Sequence, residues 1–452
     1  MRLSTLLFFF FIKATSVWSS EIYISDDLAK SLESLYNYNP KIRYEREVLR
    51  STDELMPQAF SNFRPQISGY YQKGKIDTNS EGFNITSDGV RTETNKGVII
   101  SQSIFEGGSS LSELKVSKNQ IYSQRFSLRN TEQEVFLEAI NLYAELATES
   151  SNLTLKEKNV EVLKRQLEVT KEQFEIGDVT MTDVSIADAR LSLADSERLA
   201  SINNLNSLNA NFYSIFGVKS SKPEIILPLE NFNFKIENLK KVVFEKNPKI
   251  QSMRYKIKSI EMKIKSLKRK QLPSVKLEAE AKVNEGYFRT DSEREVLSAF
   301  AKIDIPLYQS GLASSKVRET RKQMSAEQEM LILESKKLDY NILSSKSSFD
   351  YALSKIKAFK KQIESNKIYL EGLKQELQLG ERTTIDVLNG EQELLESELG
   401  LINAYKEYFT SYYEILFYTG ELNAKSLKLN VKLFDEESNY NNIKGKWLDF
   451  IE

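Results

Sequence analysis

The sequence predicts a mainly α-helical fold with a small β part, built from a duplicated unit of helix, β-hairpin, long helix and returning helix. Three observations lead to this fold class. Landmark residues recur at two constant offsets, long stretches hold hardly any helix breakers, and short segments alternate apolar with polar residues. Only 17 glycines and 8 prolines occur in 452 residues, so few positions interrupt a helix.

The duplication is visible in motifs that occur twice. Asn39-Pro40-Lys41-Ile42 recurs 208 residues later as Asn247-Pro248-Lys249-Ile250, and Pro65 recurs as Pro273 at the same offset. Beyond Pro65 the offset becomes 203, which indicates a five-residue difference in length between the two hairpins. The pairs at this second offset are Gly108 and Gly311, Gly177 and Gly380, and Asp183 and Asp386.

The first segment, residues 1–19, is predicted to be a signal peptide. Arg2 precedes an apolar run of about ten residues, which is too short to span a bilayer as a helix. Val17 and Ser19 supply small enough residues before a cleavage site. We therefore expect an exported chain.

Each repeat is predicted to hold the same elements in the same order. A helix of about 23 residues follows each Asn-Pro pair, and a glycine opens a long helix of about 65 residues, near 100 Å in length. The predicted domains are repeat 1 at 20–217 (hairpin 66–105, long helix 108–175, returning helix 181–217), a linker at 218–240, repeat 2 at 241–422 (hairpin 274–307, long helix 311–378, returning helix 384–420), and an equatorial or unstructured tail at 423–452.

Apolar residues in the long and returning helices recur every seven positions, as in a coiled coil. Ile356, Ile363, Leu370 and Leu377 form one such series, and a second series begins at Leu388 after the turn. This spacing keeps an apolar seam against a partner helix when the helices supercoil. Elements of this length exceed the size of a compact domain.

The segments between the helices are predicted to be strands with one apolar and one polar face. From Val275 to Val283 every second residue is apolar, and the residues between them are Lys or Glu. This pattern is typical of a strand in a membrane barrel. Four strands cannot close a barrel with a lumen, so either the hairpins are soluble or several chains pool their strands, and three chains would give twelve.

Composition excludes several classes of function. Lys and Arg number 63 against 64 Asp and Glu, which offers no basic face for nucleic acid. The chain has no Cys and no His, which excludes disulfides, thiol nucleophiles, Ser-His triads and His- or Cys-ligated zinc. We predict no catalytic residue, no metal and no cofactor.

The duplicated layout behind a signal peptide resembles the TolC family of outer-membrane efflux channels. The segment from Gly380 to Asn389, Gly-Glu-Arg-Thr-Thr-Ile-Asp-Val-Leu-Asn, is similar to that family's second-repeat turn, and the segment from Gly177 to Asp183 to its first-repeat turn. The resemblance implies a homotrimer in the outer membrane of a Gram-negative bacterium, with a shared twelve-stranded barrel and a twelve-helix tunnel across the periplasm. It also implies a passive exit duct for efflux or type I secretion, working with a periplasmic adaptor protein and an inner-membrane pump of RND, ABC or MFS type.

The same resemblance implies a gate at the two turns. Arg382 would pair with Thr182 and Asp183 to latch the turns into a closed iris, and Asp386 would ring the pore. Two residues depart from the family pattern, because Asn389 stands where a second ring aspartate is common and Leu377 where a tyrosine helps to latch the iris.

Other interpretations of these residues stay open. Spacing alone favours Asp183 and Asp386 as caps of the returning helices, a role that is compatible with a gate. Gly177 and Gly380 are simple turn residues on this basis. The alternative to a channel is a periplasmic coiled-coil adaptor or scaffold protein.

Overall fold

The computed structural model describes residues 24–78, 89–219, 223–225, 243–287 and 289–447. The predicted signal peptide at 1–19 lies outside the described residues, as does most of the predicted linker at 218–240. Within these ranges the chain is mainly helical with one four-stranded sheet, so the predicted fold class is confirmed.

The two repeats have helices of equal length. The long helices each contain 67 residues, and the returning helices each contain 36. In chain order the elements are α1 (Asp26–Tyr38), α2 (Pro40–Asp53), α3 (Leu55–Ser61), β1 (Gln66–Thr78), β2 (Gly89–Glu106), α4 (Ser109–Glu175), α5 (Met181–Phe216), α6 (Pro248–Arg269), β3 (Ser274–Glu285), β4 (Glu293–Asp304), α7 (Leu312–Gln378), α8 (Thr384–Thr419) and α9 (Ser438–Ile443).

Paired caps set these helix ends. The side chains of Asn39 and Asn247 accept hydrogen bonds from the first turns of α2 and α6, each with a proline at the first helical position. At the other end, Gly217 and Gly420 adopt left-handed backbone conformations that close α5 and α8. The landmarks seen twice in the sequence therefore mark the same structural positions in both repeats.

The two repeats differ in their first helices. The sequence predicts a helix of about 23 residues in each, and α6 is one helix of 22 residues, but its counterpart is split into α2 and α3. Pro57 explains the break, because its ring clashes with the carbonyl of Asp53, where α2 ends. The matching position in α6 is Lys265, which leaves that helix continuous.

The helices share their main core near the middle of the long helices and towards the C-terminal ends of the returning helices. Phe136 and Tyr143 of α4 meet Phe212 of α5, Phe349 of α7 and Tyr413 of α8, all of them buried. Smaller clusters continue towards the turns, where Leu163 and Leu167 of α4 pack on α5. The seven-residue spacing thus produces paired rods rather than a compact domain.

The tail is folded along the outside of α1, α2 and α4. Leu422, Leu427 and Leu429 are buried in the main core, and the remainder continues towards the sheet. Ion pairs and hydrogen bonds hold it along the way: Asn430 to Glu33, Phe434 to Tyr36, Glu436 to Arg129, Glu437 to Arg125, and Asn439 to Asp53. The segment 423–447 is therefore a strap that connects the middle of the molecule with the base of the sheet.

Among the described residues, none of the helices combines the length and the apolar character that are needed to cross a membrane.

A buried carboxyl under the strap gives a testable pH dependence. Glu132 forms an ion pair with Arg46 at 3.5 Å, and the Arg46 guanidinium lies over the rings of Tyr36 and Phe434. Burial raises the pKa of Glu132 from 4.5 to about 7, because the pairing with Arg46 offsets the loss of solvent only in part.

The folded state therefore binds a proton at Glu132 that the unfolded chain has already released above pH 4.5. This contribution to stability is complete below the unfolded pKa and is lost as the pH rises towards 7. We expect the unfolding temperature in detergent, followed by circular dichroism, to fall across this window, and the Glu132→Gln variant to show a flatter profile. An identical slope in the variant would contradict this assignment.

Candidate functional site

The sheet presents one mainly apolar face, on which polar residues such as Gln102 and Lys96 also lie. Its order is β1-β2-β3-β4, all antiparallel, and residues directly opposite each other share a face. The register aligns Val98 of β2 with Ala281 of β3, and Ala281 with Leu297 of β4. The same register places on this face Ile67, Ile100, Leu277, Ala279, Val283, Ala299, Ala301 and Ile303.

This apolar face is not covered by any other part of the described chain. Leu297 is 86% exposed and Ile67 is 67% exposed. Each strand has 12 to 18 residues, more than the roughly 9–11 that a membrane-crossing strand needs. β1 and β4 also form the two outer edges of the sheet, so their backbone groups on those edges need partners beyond the described chain.

The opposite face of the sheet is polar. Glu278, Glu280 and Lys282 alternate with the apolar residues of β3, and the Tyr70 hydroxyl donates to Glu280 at 3.0 Å. Tyr70 lies beside Gly97, where an added Cβ would come within 2.8 Å of the Ala281 carbonyl oxygen. One face thus suits lipid and the other suits water.

At the far end of each long helix, a glycine turn leads into the returning helix. Gly177 and Gly380 have positive φ angles, +86° and +76°, which favour glycine. The amides of Asp178 and Glu381 donate to carbonyls five residues earlier and close the two long helices in the same way.

Asp183 and Asp386 cap the returning helices with matching geometry. The Thr180 amide donates to Asp183 Oδ2 at 2.8 Å, and the Asp183 amide donates to Thr180 Oγ1 at 3.3 Å. In the second repeat the corresponding distances between Thr383 and Asp386 are 2.9 and 3.4 Å. The capping role that spacing favoured is therefore present in both turns.

The caps also determine the charge at the turns. Hydrogen bonds from the Thr180 side chain and backbone lower the pKa of Asp183, and those from the Thr383 backbone and hydroxyl lower the pKa of Asp386. Both carboxylates are therefore ionised at neutral pH. Each aspartate therefore contributes one fixed negative charge to its turn.

Arg382 bonds within its own hairpin in the described chain. Its Nε donates to Glu376 Oε2 at 2.8 Å, while Thr182 lies exposed in the first turn of α5. The predicted pairing of Arg382 with Thr182 and Asp183 is not made within this single chain, and it stays a prediction about an assembly. Leu377 packs with the apolar seam between α7 and α8.

A contact that sequence reasoning missed joins the returning helices of the two repeats. Arg190 of α5 donates to the Asn389 side-chain oxygen of α8 at 3.1 Å. Beside it, Leu388 packs with Leu163 and Ala194. Asn389, noted in the sequence only as a departure from a family pattern, is therefore the partner of an arginine in the other repeat.

Some residues at the turns are the same in both repeats, and others occur in one repeat only. At the offset of 203, the caps match, but Val179 and Gln173 stand where the second repeat has Arg382 and Glu376. Arg190 and Asn389 likewise have no counterpart of the same type, since Glu393 and Ile186 stand at those positions. These unmatched polar residues were the available signal for the missed contacts. The described residues contain no group of carboxylates arranged to hold a metal ion.

Comparison with known proteins agrees with this geometry. The family model described as outer membrane efflux protein matches residues 32–218 and 241–421. Outer membrane efflux protein BepC of Brucella suis is 25% identical over 436 residues, covering 96% of this chain and 93% of the relative. Outer membrane protein TolC of Escherichia coli is 23% identical over 410 residues, covering 86% and 81%.

Solved structures share the fold. The outer membrane protein VceC of Vibrio cholerae superposes with a TM-score of 0.76 at 15% identity, covering 87% of this chain and 96% of that chain. The CmeC outer membrane channel of Campylobacter jejuni superposes with a TM-score of 0.72 at 15% identity, covering 93% and 89%.

The match to the family model spans both repeats and most of the chain, and it favours the channel over the alternative of an adaptor or scaffold protein. This chain belongs to the outer membrane efflux protein family, the TolC-like, non-enzymatic efflux channels of the Gram-negative outer membrane.

Proposed function

We propose that three copies of this chain form a passive exit duct from the periplasm to the outside. In this assembly β1 of each chain pairs with β4 of a neighbour, and twelve strands close into one barrel with the apolar face towards lipid. Closure satisfies the backbone groups of both sheet edges, which a bilayer cannot do. The uncovered apolar face and the two open edges of the sheet are the observations that support the proposal.

Below the barrel, the long helices and their companions form a twelve-helix tunnel. We retain the division into a signal peptide at 1–19, repeats at 20–217 and 241–422, a linker at 218–240 and a tail at 423–452. A periplasmic adaptor would hold the tunnel against an inner-membrane pump of RND, ABC or MFS type. The cargo would be small molecules, or proteins in a type I secretion system.

The two turns form the gate at the periplasmic end of this duct. In the closed trimer, Asp386 would appear three times around the axis and attract cations. Arg382 would leave Glu376 and bind Thr182 and Asp183 of the first-repeat turn. The cap bonds to Asp183 both use Oδ2, so capping and latching are compatible.

The assembly is tested on the purified protein. We expect it to require detergent for extraction from the outer membrane, to have the mass of three chains, and to conduct ions in a planar bilayer. A water-soluble monomer without conductance would overturn the proposal.

The pore ring is tested by replacing Asp386 with Asn. The amide keeps an oxygen for the cap, but three charges leave the constriction, so block by a trivalent cation should weaken by about tenfold or more. Thr383→Ala is the matched control, because it weakens the same cap and keeps the charge. Equal relief of block in both variants would assign Asp386 to capping alone.

The latch is tested by comparing Arg382→Ser with Glu376→Gln. If Arg382 latches the iris, R382S should raise single-channel open probability, roughly fivefold for an exposed pair worth about 1 kcal/mol. Glu376→Gln releases Arg382 from its bond within the hairpin and should leave the gate closed. If both variants open the channel equally, Arg382 only stabilises its own turn.

A further inference from the structure

The strap formed by residues 423–447 ends at the base of β1. The Arg64 guanidinium donates to the Lys446 carbonyl at 2.7 Å, and its carbon lies 4.8 Å from the centroid of the Trp447 ring. β1 begins two residues after Arg64, at Gln66. Trp447 therefore lies at the helical end of the sheet, where the strands leave the membrane on the periplasmic side in the proposed channel.

Trp447 exposes a large aromatic side chain at the end of the strap. Ile443 is buried, but the indole of Trp447 is 66% exposed. The last described residues, Lys444-Gly445-Lys446-Trp447, carry two positive charges and no acid. Nearby, Phe63 and Leu272 also expose apolar surface next to strand ends.

An exposed indole held by a guanidinium beside lysines fits the headgroup layer of a bilayer. The ring is apolar with one polar edge, so tryptophan concentrates at membrane interfaces. Basic side chains next to it interact favourably with lipid phosphates. The site also adjoins the strand end that carries this face, because Ile67 of the apolar face lies three residues after Arg64 in the chain.

We propose that the end of the strap is a membrane-surface anchor, in which Trp447 enters the periplasmic headgroup layer of the outer membrane and Arg64 and Lys444 face its phosphates. The strap then ties the middle of the tunnel to the bilayer. This inference rests on the proposed function only in placing the strands in the membrane.

The chain offers a direct optical test. It has two tryptophans, Trp18 and Trp447, and the first lies in the predicted signal peptide. The protein without residues 1–19, in which Trp447 is the single tryptophan, is inserted into phosphatidylethanolamine and phosphatidylglycerol vesicles whose acyl chains are brominated near the headgroup. We expect the emission to fall by about half, because an interfacial ring is open to lipid on one side and to water on the other. Trp447→Phe should abolish the quenched component.

A matched control uses an aromatic residue on the tunnel. Tyr351 of α7 is 62% exposed and has Lys355 Nζ 5.6 Å from its ring, so it resembles Trp447 in exposure and in its neighbouring cation. It lies 39 residues into the helix, about 60 Å from the sheet. In the Trp447→Phe background, Tyr351→Trp should be quenched by aqueous acrylamide and not by brominated lipid.

The outcomes separate this inference from the channel itself. Protein that floats with the vesicles and conducts, but shows no lipid quenching at Trp447, overturns the anchor and leaves the channel standing. A blue-shifted, unquenched Trp447 would assign the site to contact with a second copy and also overturn the anchor. If lipid quenches the tryptophan of the Tyr351→Trp variant as strongly as it quenches Trp447, the anchor is also overturned. Protein that does not float with the vesicles overturns both proposals.

Discussion

The unsatisfied edges of a four-stranded sheet constrain everything else in this molecule. An antiparallel sheet with an apolar face and a polar face is stable in water only if the apolar face is covered, and stable in lipid only if both edges are paired. Here the edges are β1 and β4, and the face that includes Leu297 is uncovered. If the sheets of several copies closed into one barrel, both requirements would be met at once. The helices that follow the strands would then be arranged in a ring.

The duplication separates the residues that make the fold from those that distinguish one turn from the other. Threonine and aspartate caps occur in both turns with nearly the same distances, so they are first of all requirements of the helix–turn–helix geometry. Within the described residues, the Arg382–Glu376 and Arg190–Asn389 contacts have no counterpart in the other repeat. Residues that break the internal symmetry are therefore the better candidates for a role in the proposed gate.

A structural feature was predictable from the sequence when the interaction that determines it joins residues close together in the chain. Helix ends were predictable because Gly108, Gly217 and their counterparts act locally, through backbone conformation. The faces of the strands were predictable from alternation alone. The break at Pro57 was a local signal that the prediction overlooked. The course of the strap followed from no periodicity, because its contacts join residues more than 300 positions apart, such as Arg125 and Glu437. The contact of Arg190 with Asn389 was also unpredictable, because it joins residues 199 positions apart.

In the proposed gate, the neutral side chain of Asn389 would make the constriction less negative than an aspartate at that position. If Asp386 rings the pore of a trimer as proposed, it would place three negative charges there, whereas two aspartates per chain would place six. Arg190, bonded to Asn389 at 3.1 Å, adds a positive charge close to the same turn. A carboxylate at position 389 would hold Arg190 more strongly, because a charge-assisted hydrogen bond is about twice as strong as a neutral one. In the proposed gate, the asparagine would therefore give a weaker link between the two repeats and a less negative constriction, and both changes would favour opening.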